Sequence, residues 1–217
     1  MEAVKDFIQQ FLFSARSQVL LTVIMLGMQP LSASKTILFM GDSITAGYGI
    51  GDDRAFPALV QDKLDAAGLD YTVMNAGVSG DTSAGGLSRI NWLLKRPVDI
   101  FVLELGANDG LRGQSVASTK ANLSAIFAAV KEKYPAAKLV LAGMQVPPNM
   151  GPDYSRDFRA IFKEVAKETD AHLIPFILEG VGGIKSLNQP DGIHPNLEGH
   201  KIIADLVWSH LEVFLVK

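Results

Sequence analysis

Short apolar runs alternate with amphipathic stretches along most of the chain. Five of these runs are apolar nearly throughout, which is typical of strands buried on both faces of a parallel sheet. They cover residues 35–41, 71–77, 99–106, 138–144 and 171–176. Apolar residues recur at helical spacing over 55–68, 82–96, 115–135, 154–169 and 196–216. This alternation of strand and helix predicts an α/β fold: one domain built on a five-stranded parallel sheet with helices on both faces.

The first 33 residues do not follow this alternation. Their apolar run, VLLTVIMLGM at 19–28, has a basic residue before it and small residues at 32–34 after it. This pattern is typical of a secretory signal peptide, and the run is shorter than the 20 or so residues that span a bilayer. We therefore predict a leader cleaved after Ala33, a mature domain over 34–217, and a periplasmic or secreted protein without stable membrane insertion. A disordered or membrane-surface leader is the alternative.

Composition narrows the classes of function. The chain has 217 residues, 48% of them hydrophobic, which is enough for one domain with a full core. With 20 basic and 23 acidic residues its formal net charge is −3, which argues against a nucleic-acid partner. The absence of cysteine excludes disulfides, thiolate metal sites and cysteine nucleophiles.

The loop after the first predicted strand contains a serine among glycines. In GDSITAGYGIG, Ser43 lies two residues beyond the end of the strand, where a parallel sheet binds its ligands. The glycines match neither a dinucleotide fingerprint nor a P-loop, and G-x-S-x-G is absent. By itself the loop leaves two interpretations of Ser43 open, a helix N-cap and a nucleophile.

Two further loops offer hydrogen-bond donors at the same edge of the sheet. NAGVSGDTS (75–83) follows the second predicted strand, and the glycine at its centre, Gly80, can bring a backbone N–H close to a ligand. GANDG (106–110) follows the third, and the amide of Asn108 can donate into the cleft. Plain turns are the alternative for both loops.

A carboxylate and an imidazole lie three residues apart near the C-terminus. QPDGIHPN places Asp191 and His194 in a segment rich in proline and glycine, just before the last predicted helix. This spacing suits the orienting acid and the general base of a serine triad. The alternatives are an Asx-turn for Asp191 and a surface histidine for His194. Too few metal ligands lie in this segment for a metal site.

Four blocks in this order, GDSITAGYG, NAGVSGDTS, ELGANDGLRG and DGIHPN, resemble the GDSL or SGNH hydrolases. Within them the chain is most similar to the bacterial periplasmic group called thioesterase I, lysophospholipase or arylesterase. The resemblance runs from about Ile37 to the last helix and implies a flavodoxin-like three-layer α/β/α sandwich. Ile44 stands where the family name has leucine, and we expect this side chain to pack and not to react.

The resemblance also implies a mechanism. Ser43 matches the nucleophile, His194 the general base and Asp191 its orienting carboxylate. The N–H groups of Ser43 and Gly80 and the side-chain amide of Asn108 match the oxyanion hole. The implied protein is a monomeric serine esterase that needs no metal or organic cofactor. Its implied substrates are small-molecule carboxylic esters and thioesters, including aryl esters, acyl-CoA and lysophospholipid-type acyl chains.

The residues identify the substrate less directly. The segment QVPPNMGPDYS (145–155) follows the fourth predicted strand, and we hypothesise that Val146 and Met150 line an apolar acyl groove. An ordinary surface connection is the alternative. Two rival functions stay open: a carbohydrate O-acetyl esterase of the same superfamily, and a non-catalytic flavodoxin-like binding protein in which GDSITAGYG forms an anion nest. The second rival leaves the Asp191–His194 pair unexplained.

Overall fold

A five-stranded parallel sheet forms the centre of the domain. The computed structural model describes residues 34–216, so the predicted leader lies outside the described residues. The strand order is β2-β1-β3-β4-β5, and every neighbouring pair is parallel. The strands are β1 (Lys35–Gly41), β2 (Tyr71–Gly77), β3 (Ile100–Glu104), β4 (Lys138–Ala142) and β5 (His172–Ile174). The α/β class and the five parallel strands are confirmed.

Helices connect the strands and cover the sheet. They are α1 (Ser43–Ala46), α2 (Phe56–Ala66), α3 (Ser83–Leu93), α4 (Ala107–Leu111), α5 (Val116–Lys133), α6 (Pro152–Thr169) and α7 (Leu197–Leu211). The chain steps from β1 to β2 in one direction and then from β2 through β5 in the other. Since crossovers between parallel strands are right-handed, this reversal places α2 on one face and α3, α5 and α6 on the opposite face. After β5, α7 packs against α2, which completes the predicted three layers.

The last residues of three strands are aligned at the carboxyl-terminal edge of the sheet. Gly41, the last residue of β1, is aligned with Gly77 of β2 and with Glu104 of β3. A Cβ at Gly41 would collide with Thr45 and Glu104, and a Cβ at Gly77 would collide with the backbone of Ala46. Both glycines are therefore needed for the chain to turn directly off the sheet into the loops that follow.

The predicted elements were correct in type, and most of the differences lie at their ends. The predicted strands 99–106 and 171–176 are shorter in the structure, and the last helix ends at Leu211 before a 3₁₀ turn at Glu212–Phe214. The helix α4 was not predicted, because ANDGL is too short and too polar to show a period. Ile44 is 4% exposed and belongs to the core, as expected.

Among the described residues, the helices are all too short or too polar to cross a membrane.

His200 links α7 to α2 through a buried hydrogen bond. Its ring stacks on that of Phe56, and its Nδ1 accepts the Phe56 backbone N–H at 3.1 Å. Burial, and to a smaller extent the charge of His194, lowers the pKa of His200 to about 4. The folded protein therefore favours the neutral ring, because a proton on Nδ1 would remove this hydrogen bond.

We expect His200 to make the protein less stable in mild acid. An unfolded histidine titrates near 6.5, so the stabilisation is complete above that pH and is lost as the pH falls towards the folded-state pKa of about 4. Since one pKa unit is worth about 1.4 kcal/mol, the free energy of unfolding should fall by roughly 3 kcal/mol from this group. Urea unfolding at pH 7 and pH 4 measures the change. His200→Asn can still accept the Phe56 N–H and should show a smaller fall, whereas equal falls would contradict the assignment.

Candidate active site

The candidate residues meet where the strand order reverses. β1 leads outward to β2 on one side, and the chain then returns to β3 on the other side of β1. The loops after β1 and β3 therefore diverge and leave a crevice at the carboxyl ends of the strands, the usual ligand site of such sheets. Ser43 follows β1 and Asn108 follows β3, so both lie at this crevice.

Ser43 is the first residue of the short helix α1 and is not its cap. The cap is Asp42, whose Oδ1 accepts the Ile44 N–H at 3.0 Å. This corrects the interpretation of Ser43 as an N-cap: an aspartate before it already fills that role. As the first helical residue, Ser43 has a backbone N–H that points away from the helix, and we find no acceptor for it in residues 34–216.

Asp191 and His194 lie together in a tight turn before α7. Gly192, at φ 71°, adopts the left-handed conformation that the turn requires. Asp191 Oδ1 accepts the backbone N–H groups of Ile193 and His194, and Oδ2 lies 2.7 Å from His194 Nδ1. The backbone N–H of His194, its ring and the Ile193 N–H lower the pKa of Asp191 to about 2. The Asx-turn and the acid–imidazole pair are therefore both present in the same turn.

One hydrogen-bond chain joins this turn to the serine. His194 Nε2 lies 2.9 Å from Ser43 Oγ. A carboxylate accepts and cannot donate, so the contact with Asp191 places the imidazole proton on Nδ1. Nε2 is then left as an acceptor facing the serine hydroxyl. Asp191, His194 and Ser43 thus form a continuous line of groups through which a proton can leave the hydroxyl.

Two side chains hold the serine and histidine segments together. The ring of Tyr48 lies 4.5 Å from that of His194, measured between centroids. Gln189 Nε2 donates to the Tyr48 carbonyl at 2.6 Å and to the Pro195 carbonyl at 3.0 Å. Sequence reasoning missed both residues, since nothing local to Tyr48 indicates a partner 141 positions away.

The two other predicted donors also lie at the crevice and are linked by one arginine. Gly80 has φ 81°, and within residues 34–216 its N–H has no acceptor. Arg112 Nη2 donates to the Gly80 carbonyl at 3.2 Å and contacts Asn108 Oδ1 at 3.5 Å. Asn108 Nδ2 donates to Asp42 Oδ2 at 3.3 Å. Arg112 was also missed, because its i+4 relation to Asn108 depends on α4, which the sequence did not predict.

Buried polar contacts fix the loop that carries Gly80. Arg89 forms an ion pair with Asp81 at 2.7 Å and donates to the carbonyls of Ala76 and Gly41, so it ties the loop to the ends of β2 and β1. On the other side of the loop, Asp109 is 1% exposed and accepts from the N–H and the hydroxyl of Ser83.

Val146 and Met150 lie beside the segment that follows Asn108. A Cβ at Gly110 would collide with Val146 Cγ1, and one at Gly113 would lie 3.8 Å from Met150 Cε. Both side chains are half-buried. An open pocket of about 290 Å³ includes Val146 but not Met150 among its lining residues, which are Gln145, Val146, Pro152, Ser155 and Arg159.

Across residues 34–216, no three acidic or histidine side chains converge in a way that would hold a metal ion. At the crevice, the Asp191 carboxylate is paired with His194, and the Asp42 carboxylate accepts from Asn108.

Comparison with known proteins gives one consistent result. A model of the GDSL-like lipase/acylhydrolase family matches residues 39–202. The chain is 44% identical over 186 residues to esterase TesA of Pseudomonas aeruginosa, covering 85% of this chain and 91% of that protein. It is 41% identical over 182 residues to thioesterase 1/protease 1/lysophospholipase L1 of Escherichia coli K12, covering 83% and 85%. A crystal structure of TesA matches with a TM-score of 0.80 and 42% identity, covering 83% of this chain and 100% of that one.

Proposed function

The chain belongs to the GDSL-like lipase/acylhydrolase family and is an ester hydrolase, and we propose that Ser43 carries the acyl group during its reaction. The observation that supports this role best is the hydrogen-bond chain from Ser43 Oγ to His194 at 2.9 Å and on to Asp191 at 2.7 Å. A serine hydroxyl is a weak nucleophile at neutral pH until a base accepts its proton, and the His194 nitrogen is in place to do so.

In this proposal the reaction proceeds in two similar halves. Ser43 Oγ attacks the carbonyl carbon of the substrate as its proton passes to His194 Nε2, and Asp191 stabilises the resulting imidazolium. The tetrahedral intermediate then collapses, and the alcohol or thiol leaves with the proton from His194. A water molecule, deprotonated by the same nitrogen, attacks the acyl-enzyme and releases the carboxylic acid and free Ser43.

Negative charge on the carbonyl oxygen needs donors that are already in place. The N–H groups of Ser43 and Gly80 have no acceptor among the described residues, and Asn108 has a second amide hydrogen beyond the one it gives to Asp42. We propose that these three donors form the oxyanion hole. Every group in the scheme belongs to the chain, so the proposed reaction requires no metal or organic cofactor.

For the substrate, we propose small-molecule carboxylic esters and thioesters with extended acyl chains, including aryl esters, acyl-CoA and lysophospholipids. Its support is that Val146 and Met150 lie close to Gly110 and Gly113, in the stretch that follows Asn108. The relatives' names, esterase and thioesterase 1/protease 1/lysophospholipase L1, agree with this class.

The acyl-groove proposal predicts a change in chain-length preference. Val146→Ala and Met150→Ala should each lower kcat/KM for decanoyl esters by roughly 3- to 10-fold while acetyl esters are little affected, because only a long chain loses apolar contact. A series of p-nitrophenyl, acyl-CoA and lysophospholipid substrates measures this. Val213→Ala, at an exposed position in the C-terminal 3₁₀ turn, is the control. An unchanged profile counts against the groove, and preference for acetylated sugars would favour the O-acetyl esterase.

We also propose that residues 1–33 are a cleaved secretory leader and that residues 34–217 act as a monomer in the periplasm or outside the cell. The apolar run at 19–28, followed by small residues at 32–34, supports the leader. N-terminal sequencing of the protein recovered from a periplasmic extract tests it, and a protein that begins at Met1 would contradict it. Gel filtration tests the monomer.

A further inference from the structure

Two buried carboxyl groups lie at the turn that carries Ser43, and the reaction scheme uses neither. Asp42 is fully buried and Glu104 is 1% exposed. Glu104 Oε2 accepts the Thr45 hydroxyl at 2.7 Å and the Asp42 backbone N–H at 3.3 Å. Glu104 Oε1, also buried, has no partner within residues 34–216. Burial and the charge of one carboxyl group on the other make it unfavourable for both to ionise.

The surroundings of Asp42 favour a negative charge more than those of Glu104 do. Burial raises the pKa of Asp42 to about 6, although the Ile44 N–H, the Glu104 side chain, the nearby His194 and the Asn108 amide each favour its charged form. Burial and the charge of Asp42 together raise the pKa of Glu104 well above its ordinary value. Of the two carboxyl groups, Asp42 therefore favours the charged form more than Glu104 does.

The Asp42 carboxylate contacts both the turn that carries Ser43 and the side-chain amide of Asn108. Oδ1 accepts the Ile44 N–H at 3.0 Å and so fixes the turn that presents Ser43. Oδ2 accepts one hydrogen of Asn108 Nδ2 at 3.3 Å. The carbonyl end of the same amide faces Arg112, so the amide cannot rotate by half a turn without losing both contacts. The remaining Nδ2 hydrogen of Asn108 is then held in one direction.

We propose that Asp42 is a positioning residue whose carboxylate aims the Asn108 amide into the oxyanion hole. This inference rests on the proposed function, since it needs Asn108 to donate to the acyl oxygen. A carboxylate suits this task because it can only accept, so it always selects the N–H₂ end of the amide. An amide or a hydroxyl at position 42 would lack that selectivity.

Replacing Asp42 tests the proposal. In Asp42→Asn the side-chain oxygen can still cap α1 through the Ile44 N–H, but its NH₂ group then faces the NH₂ group of Asn108. We expect kcat for p-nitrophenyl butyrate to fall by about 10- to 100-fold with KM changed less than 3-fold, because only transition-state stabilisation is lost. Asp62→Asn, at an exposed position on α2, is the matched control.

A double-mutant cycle separates positioning from a structural role. Asn108→Ala should lower kcat by roughly 10²- to 10³-fold. If Asp42 acts through Asn108, adding Asp42→Asn to Asn108→Ala should change kcat by less than 3-fold. A further 10-fold or greater loss in the double variant, or full activity in Asp42→Asn, would overturn the proposal.

Two further measurements distinguish a loss of positioning by Asp42 from poor folding of the variant. Asp42→Ser retains a good N-cap but is too short to reach Asn108, so it should reproduce the kinetic effect even if Asp42→Asn folds poorly. Thermal unfolding establishes that each variant is folded. Failure of the proposed function would be visible separately, because the wild-type protein would then neither hydrolyse esters nor react with a fluorophosphonate probe.

Discussion

Ser43→Ala is expected to reduce ester hydrolysis by roughly 10⁶-fold in kcat, to the level left by binding and the oxyanion hole. The variant removes the atom that would bond to the acyl carbon, while the side chain is small and nearly buried, so the fold should tolerate it. The same variant should lose covalent labelling by a fluorophosphonate probe, which reacts with an activated serine. Stopped assays at high enzyme concentration and gel fluorescence of the labelled protein provide the two readouts.

The control for this prediction is Ser209→Ala. Ser209 lies on the exposed side of α7, where its hydroxyl donates to the Leu206 carbonyl. We expect that variant to hydrolyse and label like the wild-type protein. Labelling that persists in Ser43→Ala at the wild-type rate would mean that another residue is the nucleophile, and the acyl-enzyme on Ser43 would have to be abandoned.

Asp191→Asn should lower kcat by about 10⁴-fold without unfolding the protein. The asparagine oxygen can still accept the backbone N–H groups of Ile193 and His194, so the turn should persist. Its NH₂ group, however, would face His194 Nδ1 and drive the imidazole proton onto Nε2. That nitrogen would then donate towards Ser43 and could not take its proton. The loss should therefore appear in kcat far more than in KM.

Initial rates on a p-nitrophenyl ester, with Asp62→Asn as the matched control, measure this effect. Asp62 is exposed on α2, so its neutralisation should leave kcat unchanged. A loss of less than 10-fold in Asp191→Asn would show that the carboxylate does not set the tautomer of His194. The turn would then be only a structural feature of the loop.

The sequence was sufficient to predict the five strands and to identify the polar side chains that follow them. The five apolar runs predict buried parallel strands, and the rule that ligands bind at their carboxyl ends leads to Ser43 and Asn108. Periodicity also identifies the long helices, whose apolar faces repeat over several turns. The predictions that depend on runs of similar residues were therefore confirmed by the structure.

The sequence was not sufficient to predict contacts between single polar residues that lie far apart in the chain. Asp42 and Asn108 are 66 positions apart, and their hydrogen bond depends on the register of β1 and β3, which neither segment encodes by itself. The five-residue helix α4 was missed for a related reason, since a helix of little more than one turn has no period. Gly106, the N-cap of this helix, has a φ of 119°, where a glycine is required.

Asp191 and His194 come after all five strands in the order of the chain. All five strands are complete by Ile174, whereas Asp191 and His194 come later and reach Ser43 by crossing back over the finished sheet. Gln189 fastens that returning segment to Tyr48. The proposed acid and base thus come after every strand in the order of the chain. If Asp191 and His194 act as proposed, hydrolysis therefore requires that this late segment has folded against Ser43.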